Sequence, residues 1–214
     1  MRYWRSFLGT CAVLALVAAA RAAAPATALD RYLEGLHSLR VSFTQTVIDA
    51  HGKQADQSSG ELLVLRPGRF RWDIHAGKEG GAGQLLVADG RNLWFFDRDL
   101  EQVTVKPMDA ALSATPAMLL SGGDEVRKAF EVSDEAADQG LDWVRVAPRN
   151  ADADFREARL GFARGELRRM ILKDKLGQTA TLTFERSERN APVAASDVSF
   201  TPPAGADVIG TPAK

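Results

Sequence analysis

One cysteine and three histidines in 214 residues leave little material for thiolate, disulfide or metal chemistry. His37, His51 and His75 stand 14 and 24 residues apart, so no H-x-x-x-H or comparable ligand spacing exists. An excess of one charge is also missing. Lys and Arg number 27 against 28 Asp and Glu, a formal charge of −1, which disfavours nucleic-acid binding by net charge. No G-x-S-x-G elbow occurs, and Ser58, Ser59 and Ser121 lack a context that argues for a base nearby. Gly80, Gly81 and Gly83 do not lead from a strand into a helix as a dinucleotide or phosphate loop must, so "GKEGGAG" reads as a flexible connection. Asp97 and Asp99, like Asp152 and Asp154, sit in turn-like polar segments and read as solvated carboxylates rather than an acid–base pair. The chain is expected to be no enzyme and to need no metal or cofactor.

A long hydrophobic run is absent too. The uncharged stretch from Ser6 to Ala20 falls short of the roughly 20 apolar residues that a membrane span needs. Arg2 and Arg5 precede it, and Ala20 and Ala22 supply the small residues of a cleavage site, so residues 1–22 read as a secretory signal peptide. Cys11 leaves with that segment. It is not expected to carry a lipid, because most of the apolar stretch follows it and Thr10 stands where a smaller residue is usual. Residues 23–214 would form a single 192-residue domain, cysteine-free, soluble and unanchored in an exported compartment. Arg2, Arg5 and Arg21 depart without any acid, which leaves 24 basic against 28 acidic residues and a formal charge of −4.

What is present is mostly alternation. An amphipathic helix opens the mature chain, with Leu29, Tyr32, Leu33 and Leu36 on one side and Asp30, Arg31 and Glu34 elsewhere. Strand patterns follow in "RVSFTQTVI", "GELLVL", "RFRWDI", "QLLVAD", "NLWFFD" and "EQVTV", with Asp89-Gly90 as a hairpin turn. Between Met108 and Phe130 alternation stops and Ala, Leu and Met dominate, which fits short helices. Thr115 is a candidate N-cap, Pro116 a first helical residue, and Gly122-Gly123 a stop. Strands resume in "LDWVRVAP", "FREARLGFA", "GELRRMILKD", "QTATLTFER" and "DVSFTPP". The order predicts an α+β domain in which about eleven antiparallel strands are covered on one face by a few short helices.

Arg66 is the residue whose type and place disagree. If Leu62, Val64 and Arg66 share a strand face, an arginine with five donors sits on an apolar surface. Arg69 and Arg71, on the opposite parity from Phe70, Trp72 and Ile74, read as ordinary exposed strand charges. A snorkelling arginine at a strand end is an equally good reading of Arg66 on pattern alone.

Several strings then become specific together: "SFTQ" at 42–45, "SGELLVLRPGRFRW" at 59–72, "LLVADGRNLWFFDRDLEQVTV" at 85–105, "TPAMLLSG" at 115–122, "LKDKLGQTATLTF" at 172–184 and "FTPPAGADV" at 200–208. In this order, and over essentially the whole mature chain, they resemble the periplasmic outer-membrane lipoprotein carrier family, LolA. The resemblance implies an unclosed, strongly curved antiparallel β half-barrel whose apolar concave face is covered by a lid of short helices, here Leu29–Leu39 and Met108–Phe130. It implies triacylated lipoprotein cargo, an inner-membrane lipoprotein-releasing ABC transporter as donor and an outer-membrane lipoprotein receptor as acceptor, with the carrier a monomer. Arg66 matches the family's arginine of the "RP" motif, which holds the empty cavity shut by hydrogen bonds to lid backbone. Phe70 and Trp72 match aromatic positions near it and are candidates for the cavity wall, followed by Phe43, Leu85, Trp94, Phe95, Met118, Leu119, Leu120, Phe162 and Phe184. Ordinary core packing is an equally good reading of any one of these. The competing expectation is a periplasmic lipid- or lipoprotein-sensing regulator of the same half-barrel fold.

Overall fold

The computed structural model describes residues 25–213 apart from 78–80, 112–114 and 152, and omits the side chains at 124 and 125. The expected signal peptide, with Cys11, lies outside the described residues, as does part of the "GKEGGAG" connection.

One sheet organises the molecule. Its strands are β1 (Ser38–Ile48), β2 (Gln54–Leu65), β3 (Arg69–Ala76), β4 (Gln84–Asp89), β5 (Asn92–Asp97), β6 (Gln102–Pro107), β7 (Phe130–Asp134), β8 (Asp142–Pro148), β9 (Phe155–Ala163), β10 (Glu166–Asp174), β11 (Thr179–Arg189) and β12 (Asp207–Ile209). Their spatial order is β12-β6-β5-β4-β3-β2-β1-β11-β10-β9-β8-β7. Two meanders, β1 to β6 and β7 to β11, are therefore fused where β1 pairs with β11, and every pairing is antiparallel except β12 on β6. The ends of this order do not pair with each other, and the sheet curls without closing.

The lid elements are short. Helix α1 (Ala28–Leu33) starts at a reciprocal cap in which the Thr27 hydroxyl accepts from the Asp30 N–H and the Asp30 carboxylate accepts from the Thr27 N–H. It ends sooner than the Leu29–Leu39 span predicted. Gly35 takes φ +66°, a left-handed turn that redirects the chain, and Ser38 and Leu39 already belong to β1. After a 3-10 turn at Met108–Ala111 come α2 (Ala117–Ser121) and α3 (Asp124–Lys128). Helix α2 starts one residue later than expected, with Pro116 at the N-cap and Ala117 first in the helix; the Thr115 hydroxyl accepts from the Ala117 N–H at 3.4 Å, and Gly122 ends the helix. Phe130 opens β7 rather than closing a helix.

Cross-strand register fixes the two faces of the sheet. Val41, Leu62, Trp72, Leu86, Phe95 and Thr104 pair successively from β1 to β6 and form one row on the concave side. The next row on that side runs Leu39, Val64, Phe70, Ala88, Leu93, Lys106. Along the first row Val41 is 2% exposed, Leu62 1%, Trp72 5% and Phe95 37%. The lid therefore covers the centre of the concave face and leaves the β5 end of it open. On the opposite side a smaller cluster of Leu85, Val87, Trp94, Val103 and Val105 is covered by the C-terminal segment through Phe200 and Ala206. "DVSFTPP", expected as a strand, is a 3-10 turn at Ala195–Val198 followed by extended chain. Its two prolines lack the N–H groups a ladder needs. Phe200 instead packs on Trp94 and Phe96, with ring centroids 5.7 and 5.9 Å away.

Gly60 shows how closely the centre is packed. It lies opposite Phe43, and a Cβ there would run into the Asp73 carbonyl oxygen and come within 2.6 Å of the end of the Phe43 ring. Gly60→Ala is expected to destabilise the fold by about 1–3 kcal/mol, the usual cost of overpacking. Urea unfolding checks it, and an unchanged midpoint would show that the ring has room to move.

Candidate functional site

The concave face and its lid form one continuous apolar interior. Phe43 and Trp72 meet edge to face at 6.0 Å, Phe43 and Phe184 at 6.4 Å, and Tyr32 of α1 lies against Phe162 at 5.4 Å. Into this surface α2 inserts as a plug. Ala117, Met118, Leu119 and Leu120 are all buried, and so is Ser121, whose hydroxyl donates to the Met118 carbonyl at 3.2 Å, so α2 is enclosed all round, as a helix inside a core is. At the uncovered end, Leu86, Leu93, Phe95, Thr104, Lys106, Thr115 and Asp154 line an open groove of about 390 Å³.

Polar contacts hold the lid at its ends. Arg66 lies just beyond β2, and its guanidinium donates from Nη1 to the Leu33 carbonyl at 3.0 Å and from Nη2 to the Gly122 carbonyl at 2.8 Å. Those carbonyls belong to the last residue of α1 and the residue after α2, where backbone acceptors lack partners inside the helix and a cation is favoured. One side chain thus ties two lid helices to the β2–β3 turn. The backbone adds bonds from the Arg66 N–H to the His37 carbonyl at 2.9 Å and from the Gly68 N–H to the Ser121 carbonyl at 2.6 Å. Burial pushes the Arg66 guanidinium below its usual pKa, and both of its side-chain acceptors are neutral.

Further anchors carry no pattern that a linear reading would pick out. Arg189, at the end of β11, donates to the carbonyls of Tyr32 at 2.6 Å and Glu34 at 3.2 Å and lies 4.6 Å over the Tyr32 ring. Asp134 of β7 accepts from the Ala28 N–H at 3.0 Å and so fixes the start of α1. Arg127 of α3 approaches Asp30 of α1 at 3.5 Å and joins one lid helix to another. The partners are 157, 106 and 97 residues apart in the chain, so only the fold brings them together.

Asp30 makes the lid sensitive to acid. Its partial burial works against ionisation, but the hydrogen bonds from Thr27 and the Arg127 guanidinium outweigh it and hold the carboxyl below its ordinary value of 3.8. A carboxylate whose pKa is depressed on folding adds stability above its unfolded pKa, and that contribution is lost as pH falls through the folded value. Amide protection of residues 28–34, corrected for intrinsic exchange, is therefore expected to hold from neutral pH down to about 4 and to weaken below it. Asp30→Asn should show weaker protection at neutral pH and little further change. Equal protection in both proteins across this range would remove Asp30 from the account.

The expected site residues divide into three groups. Phe43, Phe70, Trp72, Met118, Leu119, Leu120, Phe162 and Phe184 lie in the main interior cluster, with Arg66 at its rim. Phe95 is on the concave side but stands in the open groove. Leu85 and Trp94 were expected in the cavity wall and are not there: they lie in the cluster on the opposite side, and the Trp94 indole N–H donates to Asp89 at 2.7 Å. The reason is that β4 and β5 bury apolar residues on both faces, so parity alone does not say which of "LLVA" or "LWFF" looks inward.

An unclosed, curled sheet whose apolar concave face is covered by short helices defines a half-barrel architecture. Residues 34–201 match the family described as outer membrane lipoprotein carrier protein LolA. An outer-membrane lipoprotein carrier protein of Dechloromonas aromatica is 41% identical over 182 residues, 85% of this chain and 86% of that one. Another, of Cupriavidus necator, is 37% identical over 210 residues, 96% and 98% of the two chains. The chain belongs to the LolA family. Among solved structures, a LolA superfamily protein of Nitrosomonas europaea aligns with 81% of this chain and 96% of its own at 13% identity, with a TM-score of 0.47. Among the described residues no helix is long and apolar enough to cross a membrane.

Proposed function

We propose that this protein is a periplasmic carrier that takes triacylated lipoproteins from an inner-membrane ABC transporter, shields their acyl chains on its concave face, and passes them to an outer-membrane receptor. The observation that carries the reading is the plug: five consecutive lid residues of α2 fill an apolar concavity that a movable ligand of the same chemistry could fill instead. The resemblance of the chain to proteins named outer-membrane lipoprotein carriers supports the choice of ligand.

Magnitudes decide who wins the cavity. A triacylated anchor has on the order of forty methylenes, each worth about 0.8 kcal/mol on leaving water, so its exposure would cost tens of kcal/mol. Met118, Leu119 and Leu120, exposed when α2 withdraws, cost about 1.5–3 kcal/mol each. The two bonds of Arg66 add about 1.5–3 kcal/mol each at most, less where water reaches them. Cargo therefore displaces the lid, and the lid subtracts a modest part of the gain. That subtraction keeps affinity within reach of an acceptor, and handover needs no chemical step. Energy enters upstream, when ATP hydrolysis extracts the anchor from the inner membrane.

The test is to incubate the mature protein with lipoprotein-loaded inner-membrane vesicles containing the transporter and ATP. A soluble one-to-one complex with lipoprotein that requires ATP is expected. No complex, from vesicles shown to release lipoprotein to another family member, would contradict the carrier role and favour the sensing one.

A further inference from the structure

The described tryptophans differ in one respect. Trp94 Nε1 donates to an Asp89 carboxylate oxygen at 2.7 Å, and Trp143 Nε1 donates to the Asp138 carbonyl at 3.2 Å. Trp72 Nε1 is buried and has no acceptor among the described residues. Trp72 is 5% exposed and lies in the concave row between Leu62 and Leu86, with the Phe43 ring against it. Leaving an indole N–H unpaired in an apolar interior is unfavourable, and a phenylalanine would fill such a wall without the penalty.

We infer that the Trp72 N–H is a recognition group for the bound lipid, donating to an ester carbonyl of the acylated glyceryl group when the lid withdraws. This rests on the carrier reading and adds a polar contact to it. Surroundings select the acceptor. Leu62, Leu86 and Phe43 beside Trp72, and Val41 beyond Leu62, offer no counter-charge, so a charged headgroup would be costly there, whereas a neutral ester carbonyl needs one donor and little else. Such a bond would set how deep the anchor sits, since methylene burial alone has no preferred register along the cavity.

The experiment compares two synthetic lipopeptides with the mature protein. One carries a diacylglyceryl cysteine with two ester links, and the other replaces both by ether links of equal chain length, which removes the glyceryl carbonyls and little else. Binding of the ester form is expected to be about tenfold tighter, and Trp72→Phe should abolish the preference, bringing the two affinities within about twofold of each other. Equal binding of both lipopeptides to the unmodified protein would overturn the inference and leave the carrier reading intact. So would an ester preference that survives in Trp72→Phe. Binding of neither would overturn the carrier reading and the inference with it. The Trp72 indole N–H gives a second reading that needs no variant: its proton resonance in the unmodified protein should move downfield with the ester form and not with the ether form, and an equal response to both would overturn the inference.

Discussion

Replacing Arg66 with leucine is expected to give a protein that takes up lipoprotein and does not let it go. Leucine cannot donate to the Leu33 and Gly122 carbonyls, so both lid helices lose their shared tie to the β2–β3 turn. If those bonds favour the closed state by about 3 kcal/mol, their loss raises apparent cargo affinity by about two powers of ten, because closure no longer competes with cargo. Transfer to the acceptor should fall at least tenfold while loading persists. Arg66→Lys should also transfer poorly, since a single ammonium has no planar fork to span two carbonyls on separate helices. In the empty protein the same variants should expose α1 and α2 to protease. Transfer by Arg66→Leu at the normal rate would show that the latch does not govern release.

The second large effect is on stability. Phe43 is 2% exposed and touches both Trp72 of one meander and Phe184 of the other, on the strand where the two halves of the sheet join. Phe43→Ala removes that contact and opens a void beside Gly60, and is expected to cost about 3–5 kcal/mol. For a domain of this size each kcal/mol lowers Tm by about 2–4 °C, so a drop of about 6–20 °C should appear in a thermal melt. The two wings should still unfold together, because β1 bonds to both. A change below 1 kcal/mol would mean that the concave face relaxes around the missing ring.

Much of this was legible from residues alone where one parity was apolar and the other polar. β3, and β1 as far as Phe43, alternate and their inward residues follow from spacing, whereas β8 buries Trp143 and Val144 side by side and β10 buries Leu167 and Met170 on opposite parities across an irregularity in its pairing with β9. β7 was missed because its five residues follow a helical run without a break, and β12 because three exposed residues have no pattern to read. In the site, Arg66 stood out because an arginine disagreed with the apolar residues before it, and the "RP" resemblance suggested its role. Arg189 and Asp134 did not stand out, since charged residues at strand ends are ordinary and what distinguishes them is the lid backbone they meet. Trp72 was expected as a wall residue. That its N–H lacks an acceptor among the described residues depends on everything around it, which no sequence pattern states.

The central claim is that acyl chains lie on the concave face under the lid, and two adjacent residues of β4 test it directly. Leu86 belongs to the concave row and borders the open groove, whereas Val87 faces the cluster under the C-terminal segment. A photoreactive amino acid placed at each position in turn, in protein loaded with lipoprotein carrying isotopically labelled acyl chains, reports which face the chains touch. Labelling at 86 with little at 87 is the predicted result. Equal or stronger labelling at 87 would contradict the account.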